Sequence, residues 1–273
     1  MHKSWFSLSL LVLAGLSSVP MQAVTFGQPD GARHPWVGTM LFQAGDGFYY
    51  SCSATLLAPT VMVTAAHCTI ENGVKNVATW VKFDPVISFP GLDKAKSVAA
   101  YLDNPKNGWI GVTEVIPHPQ YHGSYPNTYD VGIVILKSAV DPGVFGALPP
   151  LGFLQTIGGG NSGNNLFNVV GYGMQGYIKP FHSDTWERYF GQIRLVELKS
   201  TFDGDAASAK FTNNPGKTSG GSCYGDSGGP VFYSTTNMIV AVVSWGITPC
   251  IGVDYNFRID TPAAQDFIRK YLP

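Results

Sequence analysis

The segment Gly225-Asp226-Ser227-Gly228-Gly229-Pro230 sets a serine among glycines. A serine hydroxyl is a poor nucleophile unless a base takes its proton and its backbone is held in an unusual shape. Glycines on both sides permit strained dihedrals and close approach of a substrate. They also leave the amides of Gly225 and Ser227 able to point at a developing oxyanion. An ordinary turn could contain Gly-Asp-Ser, but six residues in this order are too specific for that. The matching base lies in Val63-Thr64-Ala65-Ala66-His67-Cys68. Small residues let the backbone pack tightly there while a strand end presents an imidazole, the side chain best suited to a general base near neutral pH. A lone histidine is usually a packed core residue; here each segment supplies what the other lacks. His34, His118, His122 and His182 have no such surroundings and read as structural or surface residues.

Both residues need rigid elements behind them, and the chain reads as strand-rich. Ala54-Thr55-Leu56-Leu57 and Val61-Met62-Val63-Thr64 flank a turn at Ala58-Pro59-Thr60, a hairpin pattern. Val131 to Leu136 is a short apolar run, the mark of a strand buried on both faces. Val169-Val170 lead into a turn at Gly171-Tyr172-Gly173, and Val231-Phe232-Tyr233 pairs with Met238 to Trp245 around Thr235-Thr236-Asn237. One helix stands out: Thr261 caps it, Pro262 opens it, and Phe267, Ile268 and Tyr271 share a face. Gly158 to Asn165 and Asp203 to Gly221 are polar and glycine-rich, which predicts surface loops. Asp141 to Pro150 reads as the linker between two halves.

The composition agrees. Of 273 residues, 32 are glycine and 19 proline, and only 13% are charged, which suits short strands joined by turns. A formal net charge of −1 with no basic patch argues against a nucleic-acid or anionic-membrane partner. Met1 to Ala23 has a basic start, an apolar stretch at Leu8 to Leu16 and a small polar end, the pattern of a secretory signal peptide. The apolar stretch falls short of the ~20 residues that cross a bilayer, so no membrane attachment is expected after its removal. Four cysteines follow, and in an export context they predict two disulfides, with three pairings open. Their spacing does not suit a metal site. No Asn-x-Ser/Thr acceptor is present.

The two motifs resemble the Thr-Ala-Ala-His-Cys and Gly-Asp-Ser-Gly-Gly-Pro signatures of the trypsin/chymotrypsin family, the archetype of the Ser-His-Asp triad. The resemblance covers most of the chain after Ala23. Tyr129-Asp130, followed by the apolar run from Val131, looks like the family's triad aspartate; Asp84, Asp103 and Asp141 precede no comparable run. Pro35-Trp36-Val37 is similar to an early strand of the family, Gly171-Tyr172-Gly173 to its Gly-Trp-Gly, and Ser244-Trp245-Gly246 to the edge that pairs with the substrate backbone. The family's serine at Ser244 also supports the aspartate. The resemblance implies bridges Cys52–Cys68 and Cys223–Cys250. It implies an all-β fold of two six-stranded antiparallel barrels with a C-terminal helix: residues 24–145 carrying His67 and Asp130, and residues 146–273 carrying Ser227. Expected function is that of a secreted, monomeric serine endopeptidase acting on protein or peptide substrates without cofactor or metal. Gly225 and Ser227 would supply the oxyanion hole.

Three departures limit the transfer. The family's usual start after a basic residue has no clear counterpart; Val24-Thr25-Phe26-Gly27 fits best, which predicts that the Val24 amine pairs with Asp226. Where trypsin-like members carry a pocket aspartate, this chain has Gly221, followed by Ser222. An uncharged pocket formed with Ser244, Trp245 and Gly246 favours apolar side chains, whereas Asp254 falls at a wall position from which a carboxylate reaches a basic one. Finally, the stretch from Glu71 to Gly111 is long for the family. Two rival readings share the same residues: a catalytically inactive binding protein on a protease scaffold, and a restricted esterase-like acyl hydrolase.

Overall fold

A computed structural model describes residues 24–123, 128–157, 165–178, 181–183, 185–198, 208–214 and 220–273. The signal-peptide reading, most of the Gly158 to Asn165 loop and the side chain of His182 lie outside these residues. Six strands close into the first barrel: β2 (Val37–Gln43), β3 (Tyr49–Ala58), β4 (Val61–Thr64), β5 (Ala78–Lys82), β6 (Ile110–Pro117) and β7 (Gly132–Leu136). Their spatial order is β2-β3-β4-β7-β6-β5, all antiparallel. The expected hairpin is present, with Thr55 opposite Val63 and Leu56 opposite Met62. Neighbouring residues of β2 serve different cores, as the two-residue period of a strand requires. Met40 and Phe42 join the main core with Val63, Ile133 and Val134, while Leu41 joins Trp80, Tyr101 and Trp109 in a satellite core.

The second half is a curled, half-barrel sheet. It is built from β1 (Gln28–Pro29), β8 (Phe167–Gly171), β9 (Tyr189–Ile193), β10 (Leu195–Glu197), β11 (Ser208–Asn213), β12 (Pro230–Tyr233), β13 (Ile239–Gly246) and β14 (Gly252–Arg258). The order is β1-β9-β8-β12-β13-β14-β11-β10. The count of eight, rather than six, has two causes. β1 adds to the outer edge of β9, and β9 and β10 are one stretch of chain broken at Arg194. Arg194 exchanges backbone and hydroxyl hydrogen bonds with Thr212, so this stretch leaves β8 and turns onto β11. Phe167, Val169, Ile193, Phe211 and Val240 fill the interior.

β11 corrects the reading of Asp203 to Gly221 as a loop. Ser208–Asn213 pairs with β14 along its whole length and sends Ala209 and Phe211 into the core. Its polar composition hid it, because pairing with a central strand outweighs intrinsic preference. The Glu71 to Gly111 stretch carries β5 and a short helix α1 (Val98–Leu102), capped by Ser97, whose side chain accepts the Ala100 amide at 3.1 Å. The closing helix α3 (Pro262–Ile268) follows a short helix α2 (Phe153–Ile157), and Thr261 caps α3 as expected.

The two ends of the chain exchange sides. β1 belongs to the second sheet, while Ala264, Phe267 and Ile268 of α3 pack into the main core with the first barrel. Two disulfides, Cys52–Cys68 and Cys223–Cys250, span 16 and 27 residues; loop-closure entropy gives each about 3–4 kcal/mol at most. A buried cluster fastens the halves together. The Arg188 guanidinium donates from Nε to Asp30 Oδ2 at 2.7 Å and from its other nitrogens to the carbonyls of Val37, Phe83 and Gly31. His34 completes the carboxylate's set through Nδ1 at 2.5 Å and stacks on Phe232. Removing one member of such a set strands the other charge in a dry site. Arg188→Leu is therefore expected to lower the unfolding free energy by about 3–5 kcal/mol, read from denaturant titration.

Candidate active site

Ser227 sits in a loop whose shape is fixed from four directions. The Ser53 amide donates to the Ser227 carbonyl at 2.8 Å, and the Gly228 amide to that of Val243 at 2.8 Å. Asp226, fully buried, accepts the Gly173 amide at 2.8 Å and the Cys223 amide at 2.9 Å. Ser53 Oγ donates to the Gly225 carbonyl at 3.0 Å. Gly228 has φ +75°, and a Cβ there would lie 2.0 Å from Thr64 Oγ1, so no other residue fits. The Ser227 loop is thus packed directly on the strand that leads to His67.

His67 lies in a single 3₁₀ turn, Ala66–Cys68, just after β4, and Asp130 just before β7. Because β4 and β7 are paired, with Thr64 opposite Gly132, the two side chains meet. Asp130 is buried and takes three donors: the His67 amide at 3.0 Å, His67 Nδ1 at 2.8 Å and Ser244 Oγ at 2.5 Å. Burial disfavours the imidazolium, but the charge and hydrogen bond of Asp130 outweigh it and raise the His67 pKa above the ordinary value. Burial likewise pushes Asp130 up; His67 and Ser244 more than reverse it and hold the carboxyl below the usual range. Of the competing aspartates, Asp84 pairs with Lys82, Asp103 accepts from Trp80, and Asp141 caps its own turn through the Gly143 amide.

His67 and Ser227 line one cleft of about 970 Å³, together with Gly225. A second, smaller cavity of about 200 Å³ meets it at Ser227 and Tyr224 and is walled by Ser222, Val243, Ser244, Trp245 and Gly246. Of the pocket residues read from the sequence, Gly221 and Asp254 lie one layer behind this wall. Asp254 Oδ1 lies close behind Gly246, 2.7 Å from where a Cβ on that glycine would stand. Its carboxylate accepts Asn213 Nδ2 at 2.8 Å, the Ser222 amide at 2.7 Å and Ser222 Oγ at 2.8 Å. Burial raises its pKa to about 6 against those hydrogen bonds. Asn213 was missed in the sequence because β11 was missed. It fills the space a side chain on Gly221 would need, 2.1 Å from that Cβ position. Asn213 in turn accepts from Thr25 Oγ1 at 2.9 Å, and Thr25 pairs with Gly221. Val24 is buried in the second core, and the chain beside it is thereby wired to the pocket base. Of the remaining histidines, His34 and His118 are buried and packed on aromatic rings, while His122 lines the large cleft.

The chain is similar to known proteins over most of its length. The family model described as Trypsin matches residues 25–268. A chymotrypsin-like serine proteinase of Haliotis rufescens is 22% identical over 259 residues, covering 90% of this chain and 89% of that protein. A trypsin of Saccharopolyspora erythraea is 25% identical over 221 residues, covering 78% of this chain and 82% of its own. Among solved structures, an HL collagenase aligns over 90% of this chain and 97% of its own, with a TM-score of 0.65 and 19% identity.

The electrostatics of the pair can be checked directly. An NMR titration of the His67 ring is expected to give a pKa above the ordinary imidazole value. In Asp130→Asn the charge is gone, burial prevails, and the value should drop below it.

Proposed function

The chain belongs to the trypsin family of serine proteases, and on that premise we propose that it hydrolyses peptide bonds with His67, Asp130 and Ser227 as its triad. The observation that carries this reading is the buried Asp130 carboxylate holding His67 Nδ1 at 2.8 Å, in a cleft that His67 shares with Ser227. Ser227 Oγ attacks the scissile carbonyl as His67 Nε2 takes its proton. Asp130 fixes the ring tautomer and stabilises the imidazolium. The amides of Gly225 and Ser227 stabilise the oxyanion. His67 then protonates the leaving amine, and water, deprotonated by the same ring, releases the acyl group. Nothing in this sequence of steps calls for a metal or cofactor.

The small cavity receives the side chain before the scissile bond. Val243 and Trp245 give it apolar sides, and Asp254 stands as a buried carboxylate just behind Gly246. An apolar stem carrying an ammonium or guanidinium uses both features. Export fits the two disulfides, and no helix among the described residues is long and apolar enough to cross a membrane. We assign the halves as residues 24–145 and 146–273, and Val24 as the residue whose freed amine meets Asp226.

Ser227→Ala should reduce kcat for a susceptible peptide by a factor on the order of a million. Undiminished cleavage by this variant would exclude the triad, and a small ester turned over with no peptide cleaved would favour the acyl-hydrolase reading. The pocket carries its own pH signature. Asp254 gains its charge as pH rises through about 6, so cleavage after lysine relative to leucine should increase across that range. Asp254→Asn should remove the increase while sparing cleavage after leucine.

A further inference from the structure

The two cavities that meet at Ser227 divide the substrate. If the small one holds the acyl side, the leaving amine lies in the large cleft, because His67, which must protonate it, lines only that cleft. This cleft is lined in part by Leu41, Tyr49, Tyr172, Met174 and Trp186. Leu41 and Tyr172 are fixed in the satellite core. Trp186 packs against the same core from the cleft's edge, half-buried. It has φ +51°, a conformation a bulky side chain rarely adopts and keeps only where its surroundings impose it.

Those surroundings come from the segment 83–109 of the first half. The Ile87 amide donates to the Trp186 carbonyl at 2.7 Å, and the Arg188 amide to that of Pro85 at 2.7 Å; Val86 bridges to Glu187 between them. The Phe89 ring meets the Trp186 indole edge-on, with centroids 5.2 Å apart and planes at 83°. Phe89 is itself stacked on Trp109 at 5.9 Å and set against Tyr101 at 6.3 Å. The segment therefore reaches across from one half of the molecule to fix a cleft residue belonging to the other.

We propose that segment 83–109 is a brace that positions Trp186, and so makes the leaving side of the cleft a subsite for a large apolar or aromatic side chain just after the scissile bond. This rests on the peptidase reading above. Trp186 is the specificity-determining residue and Phe89 a positioning residue that acts through it. The substrates selected are peptides whose leaving half begins with a residue such as Phe or Leu.

The test uses the full chain and three substrates: two peptides identical except for Phe or Gly after the cut, and a methyl ester of their shared acyl half. An apolar pocket discriminates by about tenfold or more, so wild type should prefer the Phe peptide in kcat/KM by that margin. Trp186→Ala and Phe89→Ala should each bring the ratio close to one. Phe89→Ala should leave ester turnover within about twofold, because the ester's leaving group does not reach the subsite. Phe89→Leu, which keeps bulk against the indole, should retain most of the preference and serves if Phe89→Ala does not fold. A wild-type ratio near one overturns the inference while the peptidase reading stands. So does a preference that Phe89→Ala leaves intact, or a parallel loss of ester and both peptides. Turnover of none of the three substrates would remove the peptidase reading itself.

Discussion

Asp130 is a carboxylate with almost no access to water, and a buried charge is tolerable only when its oxygens are fully engaged. Its three donors come from both halves of the molecule: two from His67 on the first barrel and one from Ser244 on β13 of the second sheet. The halves must therefore meet in one relative position for this charge to be accommodated. The Gly228 contact with Thr64 and the Ser53 amide on the Ser227 carbonyl lie in the same seam and accept no offset either. What brings an imidazole and a serine together is a requirement of burial that many surrounding residues share.

The same logic recurs at a distance from the chemistry. Arg188 belongs to the second half in sequence but spends its donors on carbonyls of the first and on Asp30 of the N-terminal segment. The exchange of termini, with β1 on the second sheet and α3 on the first barrel, ties each half into the other's packing. An active site between two rigid bodies needs such redundancy, since a misplacement of about 1 Å is enough to impair a reaction that depends on near-attack geometry.

Much of this was legible in the sequence because the requirements were local. A glycine that must tolerate φ +75° against Thr64 can only be glycine, so Gly228 is written plainly, as are the small residues before His67. The apolar run behind Asp130, which singles that residue out in the sequence, forms β7. The hairpins and the Thr261-capped helix followed from pattern and turn chemistry. β11 was not legible: Ser208, Lys210, Thr212 and Asn213 look like loop residues until a partner strand supplies their hydrogen bonds. With it went Asn213, whose role depends on being opposite Gly221 in space. The break at Arg194 and the reach of Phe89 to Trp186 are likewise products of tertiary packing, with no signal in their own stretch of chain.

The contact between Thr25 and the pocket base has a consequence in time. Thr25 Oγ1 bonds to Asn213 and reaches the Cys250 carbonyl, partners 188 and 225 residues further along the chain. A polypeptide made from its N-terminus brings out every strand of the first barrel well before Asn213 and Cys250. The stretch around Thr25 must wait, unpaired, until almost the whole chain has emerged, and closing so long a loop is slow. The base of the small cavity, where Thr25, Asn213 and Gly221 meet, is therefore among the last parts of the molecule to be joined.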